Sequence, residues 1–143
     1  MERRTFLKAV AGILVGGPLV AREARGEETY LRLKDPAHPS LLEKKHVPAV
    51  EAPSKVKAGE WFEVRVRVGY LVEHPSTPEH WITRIELLCN GKQVAEVRFP
   101  RGGNLSPVAV FRVRLNRSAV LEAVENCNLH GTWISEPVKV EVS

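Results

Sequence analysis

The sequence predicts an all-β chain, an antiparallel sandwich of short strands, on three observations. Apolar and polar residues alternate with period two, most cleanly over Trp61 to Gly69. Asn90-Gly91 sits between two such runs and is a strong hairpin signal. Five to seven strand-like runs, separated by turns, fill about 115 residues, the spacing of an immunoglobulin-like sandwich.

In chain order, residues 27 to about 53 are irregular, because Pro36, Pro39, Pro48 and Pro53 exclude a long helix. In Trp61 to Gly69, Phe62, Val64, Val66 and Val68 share one face and Glu63, Arg65 and Arg67 the other. Trp81 to Cys89 and Gln93 to Phe99 follow, joined by the Asn90-Gly91 turn. Val108 to Leu115 sets Ala109, Phe111, Val113 and Leu115 on one face, opposite Arg112 and Arg114. Ser118 to Glu125 reads as helix or strand, and its all-β surroundings favour strand. Val138 to Val142 closes the set. The predicted core is Phe62, Val64, Val66, Ile85, Leu87, Phe111, Val113 and Val140, each contributing roughly 1.5–3 kcal/mol on burial. Trp61 and Trp133 are expected in it as core aromatics.

A chain of 143 residues accommodates one domain. Residues 1–26 read as an export signal. Arg3-Arg4 lies in a charged start, Ala9 to Ala21 is apolar, and Ala24-Arg25-Gly26 offers small residues for cleavage. The apolar run is short for a transmembrane helix, and an uncleaved amino-terminal anchor is the alternative. The arginine pair resembles signals of the Tat pathway, which places the mature domain, residues 27–143, in the periplasm without stable membrane insertion. The signal holds five of the 21 basic and two of the 17 acidic residues, leaving 16 basic and 15 acidic. The formal charge of +4 therefore mostly reports the signal, and a nucleic-acid partner is not expected.

Chemistry concentrates in three short segments: Lys44-Lys45-His46-Val47-Pro48, the loop from His74 to His80, and Cys127-Asn128-Leu129-His130-Gly131. Pro75 and Pro78 stiffen the loop between two imidazoles. Cys-x-x-His puts a thiolate and an imidazole within reach of one ion, and Gly131 permits the sharp turn that follows. All three segments flank predicted strands, and loops cluster at the ends of a sandwich. Five donors exceed the four of structural zinc. Blue copper usually adds an axial methionine, and the only methionine is Met1. Iron fits better, and five donors leave an octahedral ion one open position.

These segments, with Glu51, Lys57-Ala58-Gly59-Glu60, Val68-Gly69, Ile85-Glu86-Leu87 and Trp133, resemble superoxide reductases of the neelaredoxin and desulfoferrodoxin family from about Leu42 to Val142. The resemblance implies an immunoglobulin-like sandwich with one iron. His46, His74, His80 and His130 would be equatorial and Cys127 axial. It implies one-electron reduction of superoxide to hydrogen peroxide, with Lys45 attracting the anion. An electron-donor protein of unspecified identity is the implied partner, and a homo-oligomer is left open. The family's glutamate directly before that lysine is replaced by Lys44, so Glu43, one residue earlier, becomes the candidate sixth ligand of oxidised iron. Trp81 stands where a non-ligating histidine is common, and the segment from Arg98 to Val108 is short for the family. The sequence shows no four-cysteine iron domain ahead of the sandwich, so a chain of the single-iron kind is expected.

Other readings stand beside these. His38 reads as a plain loop residue and Lys44 as a solvated charge. Cys89 reads as a buried free thiol, with a Cys89–Cys127 disulfide as the alternative in an oxidising compartment. The alternative function is a non-catalytic binding, carrier or electron-transfer module of periplasmic redox or sulfur metabolism.

Overall fold

A computed structural model describes residues 29–143. The expected export signal lies outside the described residues. Among the described residues no helix is long and apolar enough to cross a membrane. The elements in order are α1 (Leu41–His46), β1 (Pro48–Glu51), β2 (Lys55–Val56), β3 (Trp61–Val68), β4 (Ile82–Cys89), β5 (Lys92–Arg98), β6 (Val108–Arg114), β7 (Ala119–Cys127), β8 (Gly131–Ile134) and β9 (Val138–Val142).

Two sheets face each other. The smaller has the order β1-β3-β6; the larger runs β2-β9-β7-β4-β5, with β8 also paired to β7. Pairing is antiparallel except for the short parallel contact of β2 with β9. The core forms where the inward faces meet: Val64, Val66, Val68 and Ala109 from one sheet, Ile82, Ile85, Leu87, Leu121, Ala123, Cys127 and Val140 from the other. Phe62, Phe111 and Val113 pack at its margin, half-buried. The ambiguous stretch after Ser118 is strand β7, whose residues 119, 121 and 123 face the core.

Trp61 corrects the sequence expectation. It is 53% exposed at the start of β3, opposite Arg114 in register, and the Arg114 guanidinium lies 4.5 Å from its ring. It begins an outward-facing row, so strand phase overrides its apolar character. Trp133 is buried as expected. The disulfide alternative also fails. Both cysteines are free, and Cys89 ends β4 whereas Cys127 pairs with Ile82 at its beginning, roughly 23 Å away along the strand. Cys89 is half-buried rather than buried.

The topology gathers the chemistry at one end. β1 begins there and β3 ends there, with Pro48 opposite Val68. β4 begins, β7 ends and β8 begins at the same level, since Cys127 pairs with both Ile82 and Gly131. The end of α1, the segment from 69 to 81, the segment from 99 to 107 and the turn at 128–130 therefore share that end.

Candidate metal centre

His46 is delivered by α1. Ser40 caps this six-residue helix, its hydroxyl accepting from Glu43 N–H at 3.1 Å, while the Glu43 carboxylate accepts from Ser40 N–H at 2.8 Å. This reciprocal pair is a capping box. The helix seats against the β3 exit at Gly69, where any Cβ would collide with the main chain of Lys44 and Lys45. Glycine is required there for close approach.

His74 and His80 close the segment that leaves β3. His74 N–H donates to Val68 O at 3.2 Å, and the Thr77 and His80 main chains bond each other in a tight turn. The neighbouring segment supports this loop: Gly103 N–H donates to Ser76 Oγ at 3.0 Å, and buried Gly102 packs against Thr77 and Trp81. Cys127 is the last residue of β7. His130 follows in the turn to β8, completed by Gly131 at φ +93°.

The four imidazoles form a closed ring. Centroid separations run 4.8 Å from His46 to His74, 4.6 Å to His80, 5.0 Å to His130 and 4.9 Å back to His46. The His46–His80 diagonal is longer, 6.4 Å, as a square demands. Successive rings stand edge-on, at interplanar angles of 68° to 81°. The Cys127 sulfur joins them, 3.2 Å from His80 Nε2 and 3.7 Å from His130 Nδ1. Ligand atoms of His46, His74, His80 and Cys127 lie within 4.8 Å of one another. His130 is the exposed member, and Cys127, His46 and His74 are buried.

Tautomers follow from the outer contacts. His46 Nδ1–H donates to Leu42 O and His74 Nδ1–H to Pro75 O, both at 2.7 Å. Each ring then aims a bare Nε2 inward, the arrangement by which outer hydrogen bonds orient metal-binding imidazoles. Both Nε2 atoms are buried without a hydrogen-bond partner. Leaving such an atom unmet costs about 1–3 kcal/mol, and a shared cation removes that cost. Burial, reinforced by neighbouring positive groups, lowers His46 and His80 and takes His74 down to about 4. All three are neutral near pH 7, as ligands must be. Burial pushes the Cys127 thiol up, against the N–H groups of Leu129 and His130 that point at its sulfur. A cation reverses that preference. The donor set therefore fits a metal ion.

These observations decide the family when set beside known sequences. The desulfoferrodoxin family model matches residues 39–136. The chain belongs to the desulfoferrodoxin family. It is similar to the superoxide reductase of Pyrococcus furiosus, 37% identical over 109 residues, covering 64% of this chain and 86% of that one. It is similar to the neelaredoxin of Megalodesulfovibrio gigas, 32% identical over 108 residues, covering 64% and 83%. The solved superoxide reductase (neelaredoxin) of Ignicoccus hospitalis superposes with a TM-score of 0.61 at 38% identity, covering 68% of this chain and 81% of that one. The desulfoferrodoxin family binds iron, and the His and Cys cluster here is able to hold it.

Two expected participants remain. Lys45 is half-buried on the last turn of α1, near enough for its charge to bear on His46 and His80. Glu43, the expected sixth ligand, sits at the start of α1. Its carboxylate caps α1, accepting from Ser40 N–H and, at 3.3 Å, from Lys34 N–H. Those bonds, Ser40 first, hold the carboxyl below its usual range. Ser40-x-x-Glu43 is the sequence signal for this role. Sequence reasoning also missed the stacking of Trp133 on His46, at 5.4 Å and 26°.

Proposed function

We infer that this protein is a superoxide reductase whose iron is held by His46, His74, His80, His130 and Cys127. The observation that carries this reading is the closed ring of four imidazoles beside a buried sulfur, two of them with unmet Nε2 atoms. Relatives and solved structures bearing the superoxide reductase name support it. A binding or carrier module that holds no metal gives no reason to bury bare imidazole nitrogens together.

Bound iron supplies the single electron that superoxide takes up, with two protons, to become hydrogen peroxide. The imidazoles, fixed by Leu42 O and Pro75 O, hold their nitrogens in place without reorganisation. Cys127, as thiolate, contributes negative charge from the buried side. Lys45 draws the superoxide anion to the site. A one-electron donor protein restores the reduced state. Residues 1–26 act as a twin-arginine export signal, and the mature chain, residues 27–143, works in the periplasm; cell fractionation with and without Arg3 and Arg4 tests this.

The function is tested by giving superoxide to the reduced, iron-loaded protein. One peroxide per superoxide with no dioxygen is expected. Equal dioxygen and peroxide, or no consumption of superoxide, would refute it.

A further inference from the structure

We propose that Asn128 is a positioning residue of the metal centre, a single side chain that fixes His80 against Cys127. The proposal rests on the metal-centre reading above. Asn128 directly follows Cys127. Its Oδ1 accepts from Trp81 N–H at 2.9 Å and its Nδ2 donates to Glu79 O at 2.9 Å. Those two main-chain groups flank His80 on either side. Asn128 N–H also donates to Trp81 O at 3.2 Å. Three hydrogen bonds thus join the neighbour of one donor to both neighbours of another, and those donors touch at 3.2 Å.

The chemistry selects asparagine. Trp81 N–H can only donate and Glu79 O can only accept, so the clamp needs an acceptor and a donor on one short planar group. Aspartate would meet Trp81 N–H and set a lone pair against Glu79 O. Serine and alanine are too short to bridge. The β4–β7 ladder reaches Cys127 at Ile82 through an irregular register between Ile82 and Arg84. The clamp takes over where the ladder stops. Asn128 is exposed and outside the sandwich core, so its loss acts on the site more than on the fold.

The test uses Co(II) as probe. Wild type, Asn128→Ala and Asn128→Asp are titrated while the thiolate-to-cobalt absorption is followed, and metal-free unfolding is measured in parallel. Wild type binds one Co(II) per chain. Both variants bind about 10-fold or more weakly, with a displaced band, and their metal-free midpoints move by at most about 5 °C. Titration curves and bands that match wild type would overturn the proposal. A far larger fall in the metal-free midpoint would also overturn it, by making Asn128 a fold residue. A wild-type protein that takes up no Co(II) would instead sink the metal-centre reading itself, and the clamp with it.

Discussion

His74 shows what each candidate ligand must reconcile. It is buried, its Nδ1–H is bound to Pro75 O, and its Nε2 is left bare. In the metal-free protein its pKa falls to about 4 from an ordinary 6.5, chiefly through burial. The unfolded chain therefore binds the proton first as pH drops, and folding loses stability between those values. Because buried Glu125 opposes it over much of this range, the His74 effect is read as a difference: urea stability of metal-free wild type minus that of His74→Asn should fall by up to about 3 kcal/mol from pH 6.5 to 4. Lys45 makes a separate prediction. Lys45→Ala should slow superoxide capture by roughly 2- to 10-fold and flatten its salt dependence, measured by rapid kinetics across ionic strength. An unchanged salt dependence would make Lys45 a bystander. The cluster of His46, His74, His80 and Cys127, with the His130 ring beside it, was legible in the sequence because each residue sits in a short motif. The direction of the Glu43 side chain is not legible from its adjacency to Lys44-Lys45. The capping partner, Ser40, is what sends its carboxylate to the helix start.

Secondary-structure elements act here as arms of fixed length. The long strands were legible from alternation, as in β3, where residues 62 to 68 alternate inward and outward. The short ones were not. β1, β2 and β8 span four, two and four residues, too few for a period to emerge among prolines. Helix α1 has six residues and left only its capping signature. Yet α1 carries His46 and Lys45, so its seating matters beyond its size. Gly69→Ala drives a methyl group into the Lys44–Lys45 main chain. The expected result is a loss of about 1–3 kcal/mol in urea unfolding, together with weaker metal binding as His46 shifts. Full stability with intact metal binding would show that α1 can move aside without consequence.

For the whole molecule, the sandwich gives the site a rigid frame and also holds a liability. Glu125 is fully buried on β7, opposite Ile85, with no hydrogen-bond partner for either oxygen. Burial pushes it up to about 9, only partly offset by Arg84. The folded protein holds it as the neutral acid at pH 7. A raised carboxyl stabilises fully below its unfolded value near 4.5, and that stability is lost as pH rises toward 9. Between pH 4.5 and 6.5 this opposes the His74 effect; above 6.5 it acts alone. Metal-free wild type should therefore lose about 2–4 kcal/mol between pH 6.5 and 9, and Glu125→Gln should abolish that decline. Parallel pH profiles for the two proteins would contradict it.

The proposed activity depends most on one gathering of atoms, four imidazole nitrogens and the Cys127 sulfur around one iron. X-ray absorption at the iron edge, on protein loaded with one iron per chain, tests this directly. One sulfur and four nitrogen neighbours are predicted in wild type, and loss of the sulfur with the thiolate-to-iron absorption band in Cys127→Ser. A wild-type spectrum without sulfur, or one unchanged in Cys127→Ser, would contradict it.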